Sequence, residues 1–171
     1  MIKIPSISPV LSFSFIAFIS LFSLASAFTA EVYFKLEPCI LCIYQRYPFA
    51  IGLALGLFGL ALRKNKKTCQ ALLSICGISF LINSVIAFYH TGVEQHWWKS
   101  AVDGCAVPLF EDNTNKSILE NIMSAPLGNC SEIPWQDPII GLSMANYNIA
   151  LCFGLFLFCI FSAIKIKHQA P

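Results

Sequence analysis

An all-α bundle of four membrane-spanning helices with one long outer loop is the fold class this sequence predicts, on three observations. The 171-residue chain is 57% hydrophobic and 12% charged, with a mean hydropathy of +0.69, more apolar than a soluble core requires. Its charges divide it into four long uncharged runs, Ile4–Ala30, Tyr47–Leu62, Thr68–Val93 and Pro138–Ile164. Each can supply a helix of about 20 residues that crosses the hydrocarbon layer. The eleven basic residues then sort by side: Lys3, Arg63, Lys64, Lys66, Lys67, Lys165 and Lys167 on one, and only Lys35, Arg46, Lys99 and Lys116 on the other. The positive-inside rule therefore places both termini and the 63–67 turn in the cytoplasm. All nine acidic residues fall on the outer side. The net charge of +2 makes no case for a nucleic-acid partner; membrane lipid is the expected surrounding.

The expected spans are 10–30, 43–62, 69–89 and 142–162. A short outer loop, 31–42, a cytoplasmic turn, 63–68, and a long outer loop, 90–141, join them into a single membrane domain over 1–171. Lys3 followed by an apolar run ending Ala25-Ser26-Ala27 resembles a cleavable signal, but the run exceeds the usual h-region of about 7–15 residues, so a retained helix is expected. Cleavage would leave the other spans in the same orientation.

Pro38 suits a helix start because its missing N–H is not needed there. With the second span beginning near Ile43, Arg46 lies roughly 5 Å inside it at 1.5 Å per residue, able to snorkel or to meet a ligand. Pro48 removes the bond to Tyr44 and should loosen the turn that holds Cys42 and Arg46. Gly52, Gly56 and Gly59 share one face at i, i+4, i+7 and permit close approach of another helix.

Cys69 and Cys76 in the third span, and Cys152 and Cys159 in the fourth, read as small buried hydrophobes outside the chemistry. The outer segment of about 50 residues from Thr91 to Ile140 is too long for a mere connection. Trp97, Trp98 and Trp135 flank it as interfacial anchors. Its polar middle, Glu111 to Ser117, reads as a solvated stretch between Cys105 and Cys130.

The chemistry centres on Pro38-Cys39-Ile40-Leu41-Cys42-Ile43-Tyr44-Gln45-Arg46. If Cys39 opens a helix, Cys42 lies one turn on and the pair can close a disulfide. The helix N-terminus, and Arg46 at i+4 from Cys42, would both stabilise a thiolate there. Cys39, Cys42, Cys105 and Cys130 are the four outer cysteines, and an even number in an oxidising compartment implies two disulfides, with three pairings open. As plain staples they would only rigidify loops; closing the loop from Cys105 to Cys130 would contribute about 3–4 kcal/mol. A zinc site built from the four outer cysteines fits poorly, because structural sites offer two tight pairs, so no metal is expected. Covalent haem would need histidine where Ile43 stands. The Asn115-Lys116-Ser117 and Asn129-Cys130-Ser131 triplets are too short to carry an argument. His90 ends the third span on the CxxC side, placed either for a polar ligand or for loop carbonyls.

Together these residues resemble the DsbB family, the bacterial inner-membrane proteins that reoxidise the periplasmic oxidase DsbA. The resemblance rests on Pro38-Cys39-Ile40-Leu41-Cys42 with Gln45-Arg46, on Tyr89-His90, on Cys105 and Cys130, and on Trp135 to Gly141 before the last span. It implies redox-active Cys39–Cys42 and Cys105–Cys130 disulfides. A reduced, DsbA-like thioredoxin-fold partner would attack the loop pair at Cys105, and electrons would pass to the helix pair through a Cys39–Cys130 bond. Cys42 would then be the thiolate beside a quinone, ubiquinone or menaquinone, with Arg46 polarising it and His90 as a neighbour. The partner's potential of about −120 mV explains why a strong acceptor such as a quinone is needed. Gln45 departs from the glutamate of some members, Pro48 is not universal, and Gly92 to Trp98 looks like a subgroup feature. Two other readings fit the same plan of helices and cysteines: an enzyme resembling vitamin K epoxide reductases, and a disulfide-stapled scaffold without activity.

Overall fold

The computed structural model describes residues 8–102, 105 and 128–168. Lys3, the 111–117 stretch with its Asn115 triplet, and both extreme termini lie outside the described residues. Four helices follow in order: α1 Pro9–Val32, α2 Ile40–Ala61, α3 Lys66–Glu94 and α4 Met144–His168. All four are long and apolar enough to cross a membrane, and the described residues contain no strand beyond a Gln136–Ser143 bridge. The chain is therefore all-α, a four-span bundle. Its outward faces are apolar, with Phe18, Phe22, Ile82, Val85, Leu157 and Phe161 all exposed, as lipid-facing surfaces require.

Local chemistry sets the ends. Pro9 occupies the first turn of α1, where no N–H is missed. The Asn65 side chain accepts from Thr68 N at 3.3 Å and caps α3. Cys39 does the same for α2, its Sγ accepting from Cys42 N at 3.3 Å, so the helix starts at Ile40 rather than near Ile43. Helix α3 continues past Tyr89 to Glu94, because His90, Thr91 and Glu94 are buried with partners rather than given up to solvent. It stops at His96, which adopts a left-handed φ of 57° while His96 N bonds Val93 O (3.1 Å) and Trp97 N bonds Gly92 O (2.8 Å). That pair of bonds is a Schellman stop. Gly92 is needed beneath it, since a Cβ there would run into the Trp98 ring that folds back over Tyr89.

Sequential helices pack side by side, while α1 and α4 barely touch. Phe13, Ile16, Phe49, Leu73, Phe80 and Leu155 form the buried centre. The glycine face of α2 meets α1. A Cβ on Gly56 would lie 2.9 Å from Ala17 Cβ and 3.1 Å from both Ala17 N and Phe13 O. Backbone cannot retreat as the Phe80 ring tip and Ser20 hydroxyl beside Gly52 can. Gly56→Val is therefore expected to cost about 1–3 kcal/mol, read as a lower thermal midpoint in detergent. Gly154→Ala, with nothing within 4 Å of its Cβ, should not lower the midpoint.

Candidate active site

Cys39 and Cys42 bracket the first turn of α2, with their sulfurs 2.9 Å apart and both cysteines free. Cys39, just outside the span, shares a hydrogen bond with the Cys42 thiol, meets His90 and accepts from Cys42 N–H; together these contacts outweigh burial and hold it well below the usual thiol range. Sequence reasoning puts the stabilised thiolate on Cys42 beside Arg46. In the structure the anion-stabilising contacts converge instead on Cys39, and Arg46 Nη1 is bound to Glu31 Oε2 at 2.7 Å.

His90 projects from α3 between the cysteine pairs. Its Nε2 is 3.4 Å from Cys39 Sγ and 3.7 Å from Glu94 Oε1, and Nδ1 is 2.9 Å from Gln45 Nε2. Polar side chains carry the arrangement across the bundle. Asn148 of α4 donates to Gln45 Oε1 (2.6 Å), Cys152 donates to Asn148 Oδ1 (3.1 Å), and Asn83 Nδ2 bonds both Cys152 Sγ (3.2 Å) and the Gln45 carbonyl (3.1 Å). Cys152, read from sequence as a plain hydrophobe, is thus a link in a polar chain. Glu94 Oε2 accepts from Ser143 Oγ at 2.5 Å.

Cys105 and Cys130 are joined as a disulfide and buried in one cluster with Cys39, Leu41 and Val93. Glycine allows that approach: a Cβ on Gly128 would lie 3.1 Å from Glu37 O and 3.4 Å from Cys39 N. Cys39, Cys42 and His90 bring three donor atoms within 4.8 Å, but a sulfur pair that can oxidise ceases to offer thiolates, so the cluster reads as redox chemistry. Before α4, Asp137 accepts from Ile139 N (2.8 Å), Ile140 N (3.1 Å) and Tyr147 Oη (2.9 Å), which hold its carboxyl below the usual range. This pins the Trp135 segment at the same end.

The dithiol opens on a cavity of about 810 Å³ between the helices. Leu24, Ala27, Phe49 and Leu151 give it apolar walls; Cys42, Arg46, His90 and Glu94 line its polar end. The Arg46 guanidinium also lies 5.1 Å from the Phe28 ring centre. All six residues singled out from sequence, Cys39, Cys42, Arg46, His90, Cys105 and Cys130, gather at this end of the bundle. Glu31, Glu94 and Asn148 went unassigned. A usable signal existed for two of them: Glu94 is one turn from His90, and Asn148 is a polar residue in an otherwise apolar span.

Four apolar helices that carry a dithiol and a disulfide in one buried cluster define a multi-pass membrane protein of thiol–disulfide chemistry. The family model for disulfide bond formation protein DsbB matches residues 10–162, and the chain belongs to that family. Similar proteins include disulfide bond formation protein B of Psychromonas ingrahamii, 30% identical over 158 residues (85% of this chain, 83% of the relative). That of Xanthomonas axonopodis pv. citri is 29% identical over 154 residues, covering 86% of each. An uncharacterized protein of Rickettsia prowazekii, RP370, is 30% identical over 142 residues, covering 82% and 79%. No solved structure matches.

Proposed function

We propose that this protein is a quinone-dependent thiol oxidase of the bacterial inner membrane that reoxidises a periplasmic DsbA-like dithiol oxidase. Both termini are cytoplasmic and the cysteine pairs face the periplasm. The observation that carries the reading is the shared burial of Cys39 with the Cys105–Cys130 disulfide beside a cavity whose polar end holds Arg46.

A thiolate of the reduced partner attacks the loop disulfide at Cys105 and releases Cys130. Cys130 attacks Cys39 and displaces Cys42. The partner's second cysteine resolves its bond to Cys105, leaving as the partner disulfide and freeing the Cys105 thiolate, which attacks Cys130, restores the loop disulfide and leaves the helix pair as a dithiol. The cavity fits a quinone: about 810 Å³ is in the range of ligand pockets, its walls suit a ring and lipid tail, and Arg46 would hold a carbonyl oxygen at its polar end. When bound, a quinone would supply a two-electron, two-proton acceptor against which Cys39 and Cys42 could close their disulfide. Arg46 would stabilise negative charge on the acceptor oxygen, and Phe49 and Leu151 would keep water from the site.

Detergent-purified protein supplied with a reduced DsbA-like partner and ubiquinone or menaquinone should consume quinone absorbance one-for-one with partner dithiol. No turnover with either quinone would abandon this reading in favour of an epoxide-reductase-like enzyme or a scaffold.

A further inference from the structure

Every polar atom of the Gln45 side chain is engaged. Its Nε2 donates to the Leu41 carbonyl (3.2 Å) and to His90 Nδ1 (2.9 Å), and its Oε1 accepts from Asn148 Nδ2 (2.6 Å). The Leu41 carbonyl can only accept, so the amide has one orientation; reversed, it would set oxygen against oxygen. His90 Nδ1 therefore receives a hydrogen bond, and the ring proton belongs on Nε2. That edge faces Cys39 Sγ at 3.4 Å, with the Cys130 backbone carbonyl also in contact with the ring.

We propose that Gln45 is a positioning residue that holds His90 as the Nε2–H tautomer, so that Cys39 departs as a hydrogen-bonded thiolate when its bond to Cys130 is resolved. The proposal rests on the thiol relay described above. The step balances within the chain: the Cys105 thiolate forms a bond to Cys130, the Cys130–Cys39 bond breaks, and the electron pair leaves on Cys39 with no proton or outside oxidant required. A better-stabilised leaving thiolate leaves faster and makes the helix pair the stronger oxidant. This chain thus obtains from an uncharged amide what a glutamate would obtain by protonating the ring.

Other charged and titratable groups line the same cavity: Cys42 and Arg46 on α2, Glu31 on α1, Glu94 on α3, Tyr147 on α4, and Lys35, Glu37 and Glu132 from the connecting segments. Arg46 is paired with Glu31, and Glu94 meets the ring from the Nε2 side, where it reinforces the same tautomer. At Nδ1 the side-chain hydrogen bond is that of Gln45.

The test needs neither partner nor quinone, so it can fail separately from the functional reading. In a Cys42→Ser background, the rate of Cys39 alkylation by iodoacetamide is followed against pH by mass spectrometry of the Cys39 peptide. Gln45→Leu should raise the midpoint by about one unit, roughly tenfold less thiolate at a given pH below it. Gln45→Glu, which pairs with a doubly protonated ring, should keep the midpoint at or below that of Gln45. In a His90→Ala background, Gln45→Leu should add no further shift. An unchanged midpoint in Gln45→Leu, or an equal shift with His90 absent, would overturn the proposal. If the leucine variant does not fold, a raised midpoint in Gln45→Glu overturns it alone.

Discussion

Cys42→Ser is expected to abolish quinone reduction, with a loss on the order of a thousandfold or more. A serine cannot form a disulfide with Cys39, so the dithiol that reduces the acceptor no longer exists. The variant keeps its Cys105–Cys130 disulfide, which the partner can still reduce once. Adding reduced partner to it should therefore yield partner disulfide in at most a single turnover, measured by trapping thiols with acid and an alkylating agent. Cys105→Ser should be equally inactive in steady state, for a different reason: the partner has no disulfide to attack. If Cys105→Ser turned over normally, electrons would be reaching Cys39–Cys42 directly, and the two-pair relay would have to be given up. Full activity in Cys42→Ser would remove the thiol oxidase reading itself.

Arg46→Met should raise the KM for quinone by about 10–100-fold, since hydrogen bonds to charged groups contribute about 1.5–3 kcal/mol. Methionine keeps much of the buried stem, so lost packing is not the main term. Arg46 is partly buried, its Nη1 lies 2.7 Å from Glu31 Oε2, and its guanidinium packs on Phe28. Its charge is thus held at the cavity edge by two partners from α1. Glu31→Gln gives a contrasting expectation: with its carboxylate competitor removed, Arg46 is freer to bind an acceptor oxygen, and KM should not rise. Steady-state quinone reduction at saturating partner separates the cases. An unchanged KM in Arg46→Met would place the acceptor elsewhere.

Hydropathy and charge made the four spans legible because the hydrocarbon layer imposes a length and excludes charge, and both conditions act on consecutive residues. The CxxC turn was legible for a similar reason, since the 39–42 spacing and the start of a helix are local facts. The end of α3 was not. A reading that stops short of His90 ends at Tyr89, whereas His90, Thr91 and Glu94 stay helical because Cys39, Gln45, Asn146 and Ser143 meet them from other parts of the chain.

The sequence by itself determined the class of this protein, the number of its spans and the residues able to carry redox chemistry, because each is written in composition or in short spacing. Only the tertiary structure decided which groups those residues face. Arg46 faces Glu31, the thiolate-stabilising contacts fall on Cys39, and Gln45 joins His90 to Asn148 across 45 and 103 residues of chain. An apolar run records that a helix is buried in lipid but not which way it is turned. That rotation follows from glycines that let α2 close on α1 and from polar side chains that must find partners where there is no water to supply them.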